Sequence, residues 1–193
     1  MPVKLFLASK SPRRRELLQQ ITTDFTIIDS DFDEKEISVC APEKYVQILA
    51  EGKASHTGKI PAEDELIIGC DTVVVSPDGK IFGKPADETE GFAMLKSLSG
   101  RTHSVITGVC LYSKNICHTF YSETRVTFYP LSDAEIRSYL SCLEYQDKAG
   151  GYGIQGKGAL LCEKIEGDYF NIVGLPIAAL SRALHVVFPA ENV

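Results

Sequence analysis

Val3 to Ala8 is a short apolar run, and Leu17, Leu18 and Ile21 follow it at helical spacing, which predicts a strand, a loop and then a helix. Ser11 is a natural N-cap. Pro12 is a natural first helical residue, because its fixed φ suits the helix and the N–H it lacks would have no helical partner. Phe25 to Asp29 predicts a second strand, and Pro42 opens a helix over roughly Glu43 to His56, with Tyr45, Ile48, Leu49 and Ala54 on its apolar side. Leu66 to Val75 is a β-branched run, followed by the turn Ser76-Pro77-Asp78-Gly79 and a returning strand at Lys80 to Phe82. Asp87 and Glu90 have the N-cap to N3 spacing ahead of Phe92, Met94, Leu95 and Leu98, with Gly100 as the stop. Two strand patterns, His103 to Tyr112 and His118 to Tyr129, precede a second capping box at Ser132 and Glu135. Ala159 to Ile165 and Tyr169 to Val173 read as strands around Glu166-Gly167-Asp168, and Pro176 starts a last helix through Ala183 or Leu184. The fold class expected is α/β with a mixed sheet, in which at least two hairpins break strict βαβ alternation.

A chain of 193 residues that is 44% hydrophobic can bury a proper core, and no repeat or long linker divides it. A single continuous fold over residues 1–193 is expected. The net charge of −6 argues against non-specific binding to nucleic acid or to an anionic membrane surface, while leaving room for a small anion held by local positive charge. No run has the length of a transmembrane helix and the N-terminus lacks a signal-peptide core, so a cytoplasmic location is expected. Six scattered cysteines without C-x-x-C spacing read as reduced, packed thiols, and four dispersed histidines give no zinc site.

The composition makes one local crowding of charge conspicuous: Arg13, Arg14 and Arg15 occupy the first turn of the first predicted helix. Basic side chains are locally unfavourable there by roughly 0.3–1 kcal/mol each, which leaves two readings, a solvated basic turn or a bound anion that offsets the cost. Asp71 interrupts an otherwise apolar strand; it either lies on a solvated face or serves a ligand cleft, since an isolated buried carboxylate must pair, bind metal or neutralise. Lys84, between Gly83 and Pro85, presents a point charge from a restrained backbone, and Lys53 and Lys148 are solvated or do the same. Glu34, at the end of the acidic loop from Asp29, is either solvated or an oxygen ligand for a hard divalent cation. Gly151-Tyr152-Gly153-Ile154-Gln155-Gly156 matches G-x-G-x-x-G, but it leads towards an apparent strand and so is not a dinucleotide fingerprint. It is either a tight connector or a loop whose backbone approaches a ligand read by Gln155. Together these groups describe a polyphosphate and Mg²⁺ site. With neither a Walker A motif nor a kinase signature set, hydrolysis is the simpler chemistry.

Leu7-Ala8-Ser9-x-Ser11-Pro12-Arg13-Arg14, Gly69-Cys70-Asp71-Thr72-Val73, Gly83-Lys84-Pro85, Asp147-Lys148-Ala149-Gly150-x-Tyr152-Gly153-Ile154-Gln155-Gly156 and Gly174-Leu175-Pro176 together resemble the Maf family of nucleoside triphosphate pyrophosphatases. The resemblance runs in order along nearly the whole chain. It implies an α/β fold similar to inosine triphosphate pyrophosphatases, two lobes around a deep cleft, often a homodimer, and cleavage between the α- and β-phosphates with Mg²⁺ or Mn²⁺. Asp71 matches the family's proton acceptor, with metal ligation as its other role; Ser9, Arg14, Lys53 and Lys84 match phosphate-site positions and Glu34 an acidic residue near the metal. Arg13, Thr72 and Gln155 match the positions that mark the dTTP and UTP branch rather than the 7-methyl-GTP branch. A glutamine amide complements the O4 and N3–H edge of uracil or thymine. Gly151 stands where alanine is frequent, which touches only fine preference. The implied task is removal of unwanted nucleotides, canonical or modified pyrimidines, with a link to cell division arrest. A second reading, from the family's historical name, is a nucleotide-binding regulator of cell division or septum formation without essential catalysis. A nucleic-acid-binding module ranks last, given the acidic balance and the absence of tryptophan.

Overall fold

The computed structural model describes residues 3–38 and 40–187. Strands β1 (Lys4–Ala8), β2 (Phe25–Ile27), β3 (Glu65–Val75), β4 (Ile81–Phe82), β5 (Thr102–Tyr112), β6 (Cys117–Phe128) and β7 (Cys162–Glu166) alternate irregularly with helices. The helices are α1 (Pro12–Leu18), α2 (Pro42–Ser55), α3 (Glu88–Leu98), α4 (Asp133–Leu140), α5 (Tyr169–Val173) and α6 (Ile177–Val187). The sheet runs β2-β1-β3-β5-β6-β7, with β4 paired to β3. β1 is parallel to both β2 and β3, whereas the β3–β4 and β6–β7 pairs are antiparallel, so the sheet is mixed as the pattern predicts.

Local signals set most boundaries. The Ser11 hydroxyl accepts from the Arg14 N–H at the start of α1, Asp87 caps α3 through the Glu90 N–H, and Ser132 and Glu135 form a reciprocal capping box on α4. Three expectations are corrected. Tyr169–Val173 is a helix rather than a strand: Asp168 accepts from the Phe170 N–H, and this side-chain cap outweighs the strand preference of the aromatic and β-branched residues. Residues 156–161 form 3₁₀ turns, and β7 begins only at Cys162. The buried stripe of α2 is Val46, Leu49, Ala50, Gly52 and Ala54, rotated away from Tyr45 and Ile48, which are half-exposed.

The chain divides into two compact units. One comprises Met1–Asp71, Thr107–Ser122 and Gly174–Val193; the other comprises Thr72–Ile106 and Glu123–Val173. In the first, Ala8, Ala50, Ala54, Ile67 and Cys110 pack together. There α2 lies on the sheet at two glycines: a methyl group on Gly69 would sit 2.2 Å from the Ala50 carbonyl oxygen, and one on Gly108 would sit 2.3 Å from that of Val46. Helix backbone therefore comes against strand backbone, which explains why Ala50 and Ala54 stand in the buried stripe. Among the described residues no helix is long and apolar enough to cross a membrane, and all six cysteines are free thiols.

The second unit has the larger cluster, including Val74, Leu95, Val105, Val126, Phe128, Ile136, Leu140 and Tyr152. Its glycine-rich segment is pinned from several sides. The Gly150 N–H donates to the Gly83 carbonyl at 3.0 Å, the Gly153 N–H to the Tyr139 hydroxyl at 3.1 Å, and the Lys157 N–H to the Glu144 carboxylate. Gly150 has φ +69°, and a methyl group there would meet Val74 at 2.8 Å, so both backbone and space require glycine. His103, 2% exposed, lies 2.7 Å through Nε2 from the Tyr152 hydroxyl and edge-on to Phe128, while its Nδ1 has no partner.

Burial pushes the His103 pKa down to about 4 from the ordinary 6.5. Between those values the unfolded chain takes up a proton that the folded chain refuses, so stability is complete above pH 6.5 and declines as pH falls towards 4. The loss expected is about 3 kcal/mol. Urea unfolding from pH 4 to 8 should show this slope, and His103→Gln, which cannot titrate, should remove it; an unchanged slope would place the acid sensitivity elsewhere.

Candidate active site

Gly69 and Asp71 share one face of β3, because alternate strand residues point the same way. Ala50, whose carbonyl rests against Gly69, precedes Lys53 by one turn of α2. The close approach of helix and strand therefore brings the Lys53 ammonium to Asp71. Nζ donates to Asp71 Oδ1 and, at 2.8 Å, to Glu34 Oε1. The lysine and aspartate side chains are largely enclosed, at 18% and 13% exposure, while Glu34 is half-exposed at 49%. Burial on its own lowers the Lys53 pKa and Arg14 opposes the charge as well, but the Asp71 and Glu34 carboxylates outweigh both and the pKa is raised. Lys53 is a firmly charged ammonium bonded to two carboxylates.

Glu34 reaches this point because its loop is fastened to the end of α2. The Asp31 N–H and the Ser30 hydroxyl both donate to the His56 carbonyl, at 2.9 and 3.0 Å. The Phe32 ring fills the space where a side chain on Gly52 would stand and contacts the His56 ring. Asp33 caps the short 3₁₀ turn Glu34–Glu36 through the Lys35 N–H.

At the start of α1, Arg14 Nε donates to the Gly174 carbonyl at 2.9 Å, and Nη1 to the Ser9 hydroxyl at 3.4 Å. Ser9 also accepts from the Ser11 N–H. The backbone bond holds the guanidinium in a fixed attitude beside the loop that follows β1. Arg13 is half-exposed in the same turn.

Ser9, Arg13, Arg14, Glu34, Lys53 and Asp71 thus belong to the first unit, and the structure joins Lys53 to Glu34 and Asp71, and Arg14 to Ser9. Thr72, Lys84 and Gln155 belong to the second unit. Lys84 and Gln155 are exposed there, on segments tied together by the Gly150–Gly83 bond. Sequence reasoning assigned Tyr45 to the helix core. Its phenol pKa is raised by burial and then by the negative charge of Asp71 and Glu34, which marks it as a neighbour of the carboxylates. The eight-residue interval from Tyr45 to Lys53, about two helical turns, is the signal that could have found it. Phe32 gave no such signal, since a lone aromatic in an acidic loop says nothing about a glycine twenty residues on.

Among the described residues, no group of three or more His, Cys, Asp or Glu side chains is placed to hold a metal ion by itself. Two hard oxygen donors, from Glu34 and Asp71, do converge on one point.

A family model described as Maf-like protein matches residues 4–187. The chain is 49% identical to a dTTP/UTP pyrophosphatase of Clostridium acetobutylicum, over 94% of this chain and 96% of that protein. It is 49% identical to a dTTP/UTP pyrophosphatase of Bacillus velezensis, over 95% and 96%, and 48% identical to one of Clostridium novyi, over 93% and 95%. Among solved structures, a HAM1 protein from Coxiella burnetii aligns with 95% of this chain and 99% of its own at 16% identity and a TM-score of 0.48.

Proposed function

The chain belongs to the Maf family, and from that premise we propose that it is a nucleoside triphosphate pyrophosphatase that hydrolyses dTTP and UTP to the monophosphate and pyrophosphate. The observation that carries this reading is the near-complete alignment, at 48–49% identity, with relatives bearing that activity in their names. The geometry of the first unit supplies chemistry to match.

Hydrolysis at the α-phosphorus needs a water placed in line and relieved of a proton, and positive charge where the leaving pyrophosphate gathers electrons. Asp71 Oδ2 and Oδ1 offer the acceptor. Its enclosure strengthens electrostatic interactions at that point. Lys53 and Arg14 bring permanent positive charge and Ser9 a hydroxyl, with Lys84 added by the family resemblance. Arg13, Thr72 and Gln155 are the residues that the resemblance assigns to the choice of base.

A divalent cation fits the donor set. Mg²⁺ is usually held by one or two carboxylates, with substrate phosphates and water completing its shell, rather than by an all-protein cage. Glu34 and Asp71 are two such carboxylates, and they would hold it. When bound, the cation neutralises triphosphate charge and polarises the phosphoryl oxygens. The six free cysteines suit a reducing, cytoplasmic setting, and the resemblance brings the homodimer with it.

Release of pyrophosphate and orthophosphate from UTP, dTTP, CTP, ATP and 7-methyl-GTP, with Mg²⁺ or Mn²⁺, tests the proposal. Pyrophosphate from UTP and dTTP is expected. Preference for 7-methyl-GTP would overturn the reading of Arg13, Thr72 and Gln155, and binding without turnover would favour the regulatory role.

A further inference from the structure

The two carboxylates suited to a divalent cation are both engaged by one ammonium. Lys53 Nζ is bonded to Asp71 and lies 2.8 Å from Glu34, and its side chain is mostly enclosed. Its helix cannot retreat, because α2 is seated on Gly69 and Gly108 with no room between helix and strand backbone. We infer that Lys53 is a placeholder for the metal: its ammonium occupies the carboxylate pair until a triphosphate draws it away, so that metal and nucleotide load together.

The inference rests on the pyrophosphatase reading and deepens it. A cation that takes oxygens from both Glu34 and Asp71 must displace the ammonium, since like charges a few ångströms apart in a poorly solvated pocket repel strongly. A triphosphate offers Lys53 new acceptors within reach of its flexible four-carbon stem. Once Nζ turns to phosphate, the carboxylates are open. The coupling is reciprocal: nucleotide strengthens metal binding by the factor by which metal strengthens nucleotide binding. The enzyme therefore does not hold a divalent ion idle, and in the ion's absence the Lys53 ammonium offsets part of the charge of the carboxylate pair.

The test is Mn²⁺ binding followed by water proton relaxation, which separates protein-bound manganese from the manganese–nucleotide complex. It is run with and without uridine 5′-(α,β-imido)triphosphate on the native protein and on Lys53→Met, with thermal unfolding to check the fold. Without nucleotide, Lys53→Met is expected to bind Mn²⁺ about tenfold more tightly than the native chain, a coupling of ordinary size. The analogue is expected to enhance Mn²⁺ affinity about tenfold less in the variant, which has no ammonium to release. A lysine acting only through its field would give the same enhancement factor in both proteins, and that result, or no enhancement in the native chain, overturns the proposal. If Lys53→Met does not fold, Lys53→Gln carries the same comparison. Absence of turnover with any nucleotide would refute the pyrophosphatase reading, while the nucleotide-free manganese comparison would still decide whether Lys53 blocks the carboxylates.

Discussion

Asp71→Asn is expected to lower turnover of UTP by about 10²–10⁴-fold, the span typical of a positioned proton acceptor, while the protein still folds. The substitution keeps shape and a carbonyl oxygen for Lys53 but removes both the charge and the basicity. Two consequences follow from the same change. No side chain at this position then accepts the proton from water, and Lys53 loses the carboxylate that most raises its pKa, so burial gains ground and its pKa falls. Stability should drop by less than the ~3–5 kcal/mol that accompanies an orphaned buried charge, because Glu34 still holds the ammonium. Initial rates with UTP and a thermal melt on the same sample check both halves. A variant that turns over at the native rate would remove Asp71 from the chemistry.

Gly69→Ala is expected to be among the most damaging single-methyl changes in the first unit. The added carbon would meet the Ala50 carbonyl oxygen at 2.2 Å, the Ala54 nitrogen at 2.8 Å and the Ala54 Cβ at 2.9 Å. Two of these are backbone atoms of a helix interior and none can rotate aside, so α2 must lift from β3. Overpacking of this kind costs about 1–3 kcal/mol and sometimes more. The upper end is expected, a fall in Tm of roughly 6–12 °C for a chain of this size. Activity should fall further than stability explains, since a helix that lifts carries Lys53 away from Asp71. Gly83→Ala is the control for stability, because nothing lies within 4 Å of a methyl group there. If both variants melt alike, the helix is not seated as described.

What the sequence disclosed and what it hid divide along the distance over which each signal acts. Ser11 and Pro12, Asp87 and Glu90, and Ser132 and Glu135 are read correctly because a cap is decided within four residues. The mixed sheet follows from turns such as Ser76-Pro77-Asp78-Gly79, which commit β4 to return along β3. Tyr169–Val173 was misread because composition favours a strand, whereas a single Asp168 hydrogen bond and the burial of Asn171, whose amide donates to the Val105 carbonyl and the Thr124 hydroxyl, settle it as helix. Leu49 and Ala54 are buried on α2 as the pattern predicts, but Tyr45 and Ile48 are not; they were misread because hydrophobicity ranks them above Ala50. Contact with Gly69 and Gly108 selects for smallness instead, and those glycines lie far along the chain. Glu34, Lys53 and Asp71 were each legible as candidates, through an acidic loop, a resemblance and a carboxylate in an apolar strand. That one ammonium bridges the other two was not, because it depends on three segments meeting.

The bond from Arg14 to the Gly174 carbonyl spans 160 residues of sequence. During synthesis, Ser9, Arg14, Glu34, Lys53 and Asp71 are all polymerised well before that carbonyl exists. Roughly a hundred residues separate Asp71 from Gly174, which at about 5–20 residues per second is roughly 5–20 s of elongation. Throughout that interval the nascent chain carries its charged residues without the strand of backbone that orients Arg14, and the unit holding Asp71 still lacks its third segment. High contact order slows folding in general. Here it also gives the chain a birth order, in which a ribosome-bound intermediate can hold every candidate site residue of the first unit and still lack the carbonyl that fixes its arginine.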